Sequence, residues 1–284
     1  MDNVKKKHEQ IIRYYNDCEI DYKLLWRLNK CHNMHYGYFN KGDFSLRKAI
    51  MRMNDQILKY IDPKKELYVL DAGCGYGGTS IYLAGKTKSK FEGITIVDKQ
   101  VQKGSKIVKS YGLQDRVRIT KQDYMRTKFK DGTFDVVFGI ESVCHADKEK
   151  FLKEAFRILK PGGLLIVLDG FNAKEKYSEK EYEIMRKQNS GWVVDSLETP
   201  AYFVDTCREI GFVDIKYRNI TKKVEKTSLI MYVAHFPAVV VDTAGRILGI
   251  RTKYNTGNVR AAKYQYIGMK RGLWEYGEFC AKKK

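Results

Sequence analysis

The feature that most constrains the fold of this chain is a regular alternation of apolar and amphipathic segments between residues 66 and 168. Short apolar runs, which are typical of buried parallel strands, occur at 67–71, 91–96, 117–120, 134–140 and 164–168. Helix-like patterns follow the first, second and fourth of these runs. This alternation predicts an α/β fold with an open, doubly wound, parallel sheet, because each helix returns the chain to the same edge.

The segments on either side of this stretch carry other patterns. Residues 1–60 have apolar residues at helix-like spacing, so we predict helices there. Helices are also predicted at 175–188 and 199–210, strands at 212–220 and 272–281, and helical stretches within 226–268. We expect Phe236-Pro237 to interrupt those stretches, because proline removes a backbone N–H from a helix.

Composition limits the partners of the chain. Its 284 residues include 53 Lys and Arg against 34 Asp and Glu, a formal net charge of +19. Because the lysines are scattered along the whole chain, we interpret the charge as a solvated surface; a phosphorylated small substrate stays open, and no nucleic acid is expected. The mean hydropathy is −0.48, and we find no apolar run near the roughly 18–20 residues of a membrane helix, so no membrane span is expected.

The N-terminus and the cysteines favour a cytoplasmic protein. The chain starts polar and lysine-rich, with no apolar signal segment behind it. Its six cysteines are irregularly spaced and form no CxxC pair, which argues against a zinc site or a disulfide framework. No His, Asp or Glu cluster has the spacing of metal ligands, so no metal is expected. A homo-oligomer stays open.

The strongest local motif is the glycine-rich segment 69–78, which leaves a strand and opens a helix. Glycine permits a tight turn and a close approach of the backbone, so this loop predicts a nucleotide-like ligand at the carboxyl edge of the sheet. Gly73, Gly75 and Gly78 also satisfy the dinucleotide pattern G-x-G-x-x-G. A dinucleotide site has an acid at the end of the second strand, however, where this chain has Thr95.

The segment from Asp71 to Gly77, Asp-Ala-Gly-Cys-Gly-Tyr-Gly, resembles motif I of class I S-adenosylmethionine-dependent methyltransferases. The resemblance extends at least to Phe171. It implies that S-adenosylmethionine is the cofactor and that Asp71, Gly73 and Gly75 belong to its binding site.

Two further pairs of residues extend this resemblance around the expected cofactor site. Asp123-Tyr124 follows the third strand, where such enzymes have the acid–aromatic pair that meets adenine. An ordinary polar turn is the alternative for that pair. Thr95 and Gln100 resemble the ribose-binding positions of the sterol C-methyltransferase and cyclopropane-fatty-acid synthase group.

The segment 139–146, Gly-Ile-Glu-Ser-Val-Cys-His-Ala, resembles the one after the fourth strand in sterol, tocopherol and prenyl-diphosphate methyltransferases. This likeness implies that Glu141 accepts a proton or stabilises a cation, and that His145 contacts the cofactor or orients Glu141. A helix cap or an ion pair is the alternative for Glu141. Tyr15 and Tyr36 lie in aromatic segments similar to those that these families fold over the cofactor, which implies a place near the methionine carboxylate. A purely hydrophobic cap is the alternative for both.

The same resemblance implies a Rossmann-like seven-stranded sheet with an antiparallel last strand and an added helical cap. We therefore predict three parts. Residues 1–60 form an N-terminal helical cap over the active site, 61–171 the cofactor-binding core, and 172–284 the rest of the sheet with helical insertions that form a substrate lid.

The expected activity is methyl transfer to a small, largely apolar molecule, with C-methylation of an isoprenoid or sterol-like skeleton favoured. The alternatives are a small-molecule N- or O-methyltransferase of the natural-product or tocopherol type and, more weakly, an RNA methyltransferase. The segment after the fourth strand is Gly-Ile-Glu-Ser, not the Asn/Asp-Pro-Pro-aromatic motif of base-amine methylation. A protein that binds S-adenosylmethionine without transferring its methyl group and a nicotinamide dehydrogenase are rivals of other classes.

Overall fold

The structure, a computed structural model, describes residues 2–26 and 28–284 of the chain. Residues 1 and 27, which the predicted cap 1–60 includes, lie outside the described residues. The strands of the sheet are β1 (Tyr68–Ala72), β2 (Lys90–Thr95), β3 (Val117–Lys121), β4 (Phe134–Ile140), β5 (Leu159–Asn172), β6 (Phe212–Asn219) and β7 (Trp274–Lys283). The helices are α1 (Asp2–Asp17), α2 (Glu19–Leu25), α3 (Leu28–Cys31), α4 (Leu46–Leu58), α5 (Gly78–Ala84), α6 (Asp98–Ser110), α7 (Lys148–Ile158), α8 (Glu179–Gly191), α9 (Pro200–Ile210), α10 (Thr221–Ile247) and α11 (Lys253–Lys270), with a short 3₁₀ helix at Val143–His145.

The strands form one sheet in the order β3-β2-β1-β4-β5-β7-β6. The ladders among β1 to β5 are parallel, and β7 lies antiparallel between β5 and β6. The predicted Rossmann-like sheet with an antiparallel last strand is therefore confirmed. The strand order reverses between β1 and β4, so the carboxyl ends of these two strands flank a crevice where such sheets hold their ligands.

The sheet is buried on both faces, as its apolar strands predict. Along β5, Leu165 and Val167 belong to one apolar cluster, and Ile166 and Leu168 belong to the other. Alternate side chains of a strand point to opposite faces, so the continuous apolar run of β5 serves two cores. Because both faces of the sheet are packed, the strand ends that flank the crevice are held in fixed positions.

Two elements of the second half have other bounds than the sequence pattern predicts. Helix α8 begins at Glu179, not at 175, because Ser178 and Glu181 form a capping box that satisfies the first free N–H groups. Strand β5 extends well beyond 164–168, because its pairing with β7 continues as far as Asn172 opposite Trp274. The prediction of separate parts 1–60, 61–171 and 172–284 stays a prediction; the last part supplies β6 and β7 to the common sheet.

The expected break at Phe236-Pro237 is wrong, because α10 continues through Pro237. Proline costs an interior helix roughly 3 kcal/mol, since it removes one hydrogen bond and crowds the preceding turn. Contacts on both sides of Pro237 offset this cost. His235 donates from Nδ1 to the Val259 carbonyl of α11 at 2.8 Å, and the buried Asp242 accepts from Arg251 Nε at 2.6 Å.

Helix α10 also corrects the expectation that no apolar segment is long enough for a membrane span. By length and composition alone, Thr221–Ile247 could cross a membrane, with a mean hydropathy of 1.3 over its best window. Only 22% of that window is buried inside the protein. A single helix of this kind is weak evidence for a span.

Candidate active site

The candidate active site lies where β1 and β4 end side by side. The glycine loop follows β1, and the turn that carries Glu141 follows β4. Ser142 Oγ donates to the Ala72 carbonyl at 2.5 Å, and Tyr124 Oη donates to the Ser142 carbonyl at 2.7 Å. These two hydrogen bonds connect the end of β1, the turn after β3 and the turn after β4 at the same edge of the sheet.

The glycine loop has a backbone that only glycine adopts without strain. Gly73, Gly75 and Gly77 have φ values of +85°, +56° and +79°. A Cβ atom at Gly73 would lie 2.4 Å from the Ser142 Cβ, and one at Gly75 would lie 2.9 Å from the Met34 Cε. The loop therefore presents bare backbone to the cleft, as its sequence predicts.

Asp71 lies beneath this loop. Its Oδ2 accepts from Ser80 Oγ of α5 at 2.7 Å, and burial raises the pKa of its carboxyl to about 7. The structure thus places Asp71 as a link between β1 and α5, outside the lining of the cleft.

Four predicted cofactor residues line the cleft together with the glycine loop: Thr95, Gln100, Asp123 and Tyr124. Thr95 Oγ1 donates to Gln100 Oε1 at 2.6 Å, and both residues are buried. The Met125 N–H donates to Asp123 Oδ1 at 2.8 Å, which fixes the turn after β3. Folding therefore brings the side chains of the predicted ribose and adenine positions to one cavity.

Glu141 has a backbone conformation that is unusual for a residue other than glycine. Its φ of +51° lies in the left-handed region, where non-glycine residues are uncommon and often functional. Its Oε1 accepts from the Tyr36 backbone N–H at 2.7 Å and from Tyr276 Oη at 2.8 Å. Burial raises the pKa of its carboxyl to about 8, although these two donors act in the opposite direction. A carboxyl with this pKa can exchange a proton near neutral pH.

His145 and Tyr15 form a second pair beside Glu141. Tyr15 Oη lies 3.1 Å from His145 Nε2, and His145 Nδ1 lies 3.3 Å from the Val193 carbonyl. A carbonyl only accepts, so Nδ1 carries the proton and Nε2 accepts from Tyr15. Burial lowers the pKa of His145 to about 4, so the ring is neutral at pH 7.

Tyr36 is oriented away from the glycine loop. Its hydroxyl donates to Gln265 Oε1 of α11 at 2.8 Å, and burial raises its pKa far above the usual value. Its ring lines an inner pocket, and its backbone N–H is the part that holds Glu141.

Two cavities meet at this edge. The cleft over the glycine loop has a volume of about 1310 Å³, and the inner pocket has a volume of about 420 Å³. Their shared wall consists of Tyr15, Met34, Cys144 and His145. Of the predicted site residues, Glu141 and Tyr36 face the inner pocket alone. The arrangement provides one space for a nucleotide-sized group and an adjoining space for a smaller, apolar molecule.

Sequence reasoning missed two residues of the inner pocket. Asp169 lines it, accepts from the Cys144 and Gly170 N–H groups, and has its pKa raised by burial to about 6. Its place near the carboxyl end of a strand was a usable signal. Tyr276 carried no comparable signal, because its contact with Glu141 depends on the pairing of β7 with β5. Among residues 2–26 and 28–284, no group of three or more His, Cys, Asp or Glu side chains could hold a metal ion.

The residues of the cleft fit S-adenosylmethionine. Gly73 and Gly75 line the cleft, and close contacts with Ser142 and Met34 leave no room for a side chain at either position. The hydroxyl of Thr95, the amide of Gln100 and the carboxylate of Asp123 supply groups that can bind ribose hydroxyls and an adenine amine. The roles of these individual residues stay predictions.

Comparison with known proteins agrees with this fit. Residues 69–163 match the family of methyltransferase domains. Norajmaline N-methyltransferase of Rauvolfia serpentina is 29% identical over 76% of this chain and 79% of its own. 24-Methylenesterol C-methyltransferase 3 of Arabidopsis thaliana is 32% identical over 56% of this chain and 45% of its own.

A solved structure shares the fold over the whole length. Geranyl diphosphate methyltransferase, in complex with geranyl diphosphate and sinefungin, superposes with a TM-score of 0.78 at 18% identity, covering 98% of this chain and all of its own. The matched domain and the methyltransferase relatives, together with the bare glycine loop, identify the chain as an S-adenosylmethionine-dependent methyltransferase of small molecules, similar to sterol and tocopherol methyltransferases.

Proposed function

We propose that this methyltransferase transfers a methyl group to a carbon of an isoprenoid or sterol-like molecule held in the inner pocket. The observation that carries the proposal is the position of Glu141, a buried carboxyl of raised pKa in a pocket of aromatic rings beside the cofactor cleft. C-methylation of an alkene produces a carbocation and then requires loss of a proton. The pocket has groups for both needs.

The walls of the inner pocket suit an apolar substrate that becomes cationic. Eight aromatic side chains line it: Tyr14, Tyr15, Tyr22, Trp26, Tyr36, Trp192, Trp274 and Tyr276. The face of an aromatic ring stabilises a desolvated cation by roughly 0.5–2 kcal/mol. Most of these hydroxyls are engaged with protein groups, as in the bond between Tyr14 and Tyr22 Oη at 2.8 Å, so the rings act by their faces.

Glu141 is the proposed base. A carboxyl with a pKa of about 8 holds a proton more strongly than an ordinary glutamate, so its ionised form is a better acceptor. The donors from Tyr36 and Tyr276 orient it within the pocket. His145, neutral and fixed by Tyr15 and Val193, forms part of the wall between the two cavities.

The bound cofactor supplies an electrophilic methyl group on sulfur. The side chains and backbone of the cleft would hold it: Gly73, Gly75, Thr95, Gln100, Asp123 and Tyr124. In this proposal the shared wall aligns the acceptor carbon with the donor, and such alignment accounts for much of the rate in reactions of this kind.

Small-molecule N-methylation is the second candidate. It is favoured by the likeness to norajmaline N-methyltransferase, which extends over 76% of the chain. The names of 24-methylenesterol C-methyltransferase and geranyl diphosphate methyltransferase support the carbon acceptor instead. An amine nucleophile would give no carbocation, so the two candidates differ in their need for Glu141.

Product analysis distinguishes the two candidates. The enzyme is incubated with methyl-deuterated S-adenosylmethionine and, separately, with sterols, prenyl diphosphates, tocopherol precursors and alkaloid amines, and the products are analysed by mass spectrometry and NMR. We expect label on a carbon of an isoprenoid or sterol-like substrate. Label found only on nitrogen or oxygen would overturn the carbon assignment and leave the methyltransferase intact.

Glu141→Gln tests the base directly. We expect turnover to fall by about 10²–10⁴-fold with cofactor affinity unchanged, and the rise of wild-type turnover with pH up to about 8 to disappear, because only the ionised carboxylate accepts a proton. Glu278→Gln is the control, since Glu278 is a buried carboxylate that binds Tyr60 and Arg218 outside the pocket lining. Equal losses in both variants would remove Glu141 from the chemistry.

We also propose the cytoplasm as the compartment of this enzyme. In the part of the chain that the structure describes, five cysteines are free thiols, as expected in a reducing environment: Cys18, Cys74, Cys144, Cys207 and Cys280. We further propose that residues 1–60 form a cap over the active site and that 172–284 form a substrate lid. A phosphorylated substrate is another proposal, which the prenyl diphosphates of the substrate panel would test. A homo-oligomer is the last, and a measurement of molar mass would test it.

A further inference from the structure

Helix α10 exposes an apolar stripe to solvent. Val233, Phe236, Val240 and Ile247, spaced at three, four and seven residues, lie on one side of the helix and are 59%, 55%, 70% and 82% exposed. The loop after the helix extends this surface with Leu248 and Ile250, each more than two-thirds exposed. We call these six residues the apolar stripe. A contiguous exposed patch of this kind marks an interaction surface.

Exposed basic residues accompany the apolar stripe on α10. Lys222 and Lys226 precede Val233 at helical spacing on the same side of the helix, and Arg246 directly precedes Ile247. Helix α11 contains no acidic residue, and the two acids of α10 are both paired with basic residues. Glu225 pairs with Lys270 at 2.7 Å, and the buried Asp242 pairs with Arg251. The surface therefore presents apolar side chains beside exposed positive charges.

The side of α10 that is turned away from the apolar stripe faces the inner pocket. Ala234, Ala238 and Val241, on that side of α10, line the pocket. Leu24 of α2 also lines it and is 74% exposed, so the pocket rim is apolar where it reaches solvent. One helix thus forms both a wall of the pocket and the outer surface next to its rim.

The inner contacts of α10 hold the helix on the protein. Asp242 and Arg251 form a buried ion pair that also includes Asp21 of α2, and His235 binds the Val259 carbonyl. A helix that crossed a bilayer would have to break these polar contacts and place the freed charges in hydrocarbon. The helix can meet lipid only with its outer face.

We propose that the apolar stripe docks on the surface of an anionic phospholipid bilayer and lies parallel to it, with the pocket rim next to the lipid. The apolar side chains enter the boundary between headgroups and acyl chains, and the surrounding lysines and arginines meet the lipid phosphates. Charge complementarity selects this occupant: a second copy of the chain would bring an equally positive face against it.

Vesicle flotation tests the docking without methyl donor or substrate, so its result is independent of the proposed reaction. The purified full chain is mixed with vesicles of phosphatidylcholine alone or with added phosphatidylglycerol. We expect flotation with the anionic vesicles, little with the neutral ones, and a loss of binding by about tenfold between about 0.1 M and about 0.5 M NaCl. Equal flotation with both vesicle types, or none with either, would overturn the proposal.

A matched pair of variants locates the surface. Phe236→Glu with Val240→Glu places charges on the apolar stripe outside the pocket lining, and we expect vesicle binding to fall by about tenfold or more. Tyr111→Glu is the control. Tyr111 is 55% exposed, as Phe236 is, and its ring is in edge contact with the ring of His32. It follows α6, away from the apolar stripe. Circular dichroism verifies that all variants are folded. Equal losses of binding, or no loss in the stripe variant, would place the lipid contact elsewhere.

Two measurements examine the rival occupants. Light scattering gives the molar mass in the absence of lipid; a dimer that Phe236→Glu with Val240→Glu dissociates would show that the apolar stripe is a protein interface and overturn the proposal. Extraction of the bound protein at alkaline pH distinguishes docking from insertion. Release of the protein supports docking, and retention in the membrane contradicts it.

Discussion

At the scale of single residues, the site depends on backbone conformations that are rare elsewhere. Gly73 and Glu141 both have positive φ values and follow neighbouring strands. A glycine accepts this conformation freely, whereas a glutamate in it costs on the order of 1–3 kcal/mol. The bonds from Tyr36 and Tyr276 offset that cost and hold the carboxyl in the pocket. The left-handed backbone at Glu141 therefore goes together with a carboxyl that points into the pocket, and not with the helix cap that its sequence also allows.

Gly73→Ala should weaken cofactor binding by displacing the glycine loop from the turn that carries Ser142. We expect the affinity for S-adenosylhomocysteine, measured by calorimetry, to fall at least about tenfold, because the new Cβ would lie 2.4 Å from the Ser142 Cβ. Gly132→Ala separates this clash from backbone strain: Gly132 also has a positive φ, of +62°, but a Cβ there meets nothing within 4 Å. Similar affinity losses in both variants would contradict the placement of the loop.

At the scale of elements, one buried carboxylate fastens α2 to α6. Glu19 is only 6% exposed and pairs with Lys23 of its own helix at 3.0 Å and with Lys99 and Lys103 of α6. Burial by itself would raise the pKa of Glu19, but the three ammonium groups outweigh it and lower the pKa to about 2. The N-terminal helices are therefore held to the cofactor-binding half of the sheet by charge as well as by apolar packing.

Glu19→Gln should lower the free energy of unfolding by about 1–3 kcal/mol at pH 7, because it leaves the lysines of α6 without their carboxylate. Chemical denaturation measures this loss. Glu149→Gln, which removes an exposed i,i+4 pair with Lys153, should cost less than about 0.5 kcal/mol. As the pH falls through about 4 toward 2, wild type should lose the advantage that its depressed pKa provides. An equal effect of the two substitutions would show that α2 is not held in this way.

At the scale of the whole molecule, the carboxyl groups of the active site make the stability of the fold depend on pH. Burial raises the pKa values of Asp71, Asp169 and Glu141 to about 7, 6 and 8, so each carboxyl of the folded protein keeps its proton up to a higher pH than in the unfolded chain. Each of these groups makes unfolding more favourable as the pH rises from about 4 to its own folded pKa. The site is therefore less stable than an apolar core of the same size would be.

Glu141→Gln should stabilise the fold, and more so at high pH. The glutamine keeps the acceptor oxygen for Tyr36 and Tyr276 but does not ionise, so the gain in unfolding free energy over wild type should grow by about 2–4 kcal/mol between pH 5 and pH 8. Denaturant melts at the two pH values measure this difference. A gain independent of pH would show that the pKa of Glu141 is not raised in the fold.

The strand–helix alternation and the glycine loop predicted the sheet and its cofactor edge without the structure, and the resemblance of that loop to motif I implied the class of enzyme. These features are local: the period of apolar residues and the freedom of glycine act within a few neighbours along the chain. Tertiary structure alone decided what surrounds Glu141, because Tyr36 and Tyr276 approach it from distant segments across the sheet. It also decided that α10 continues through Pro237 and leaves one side exposed, since packing against α11 outweighs the local penalty of proline.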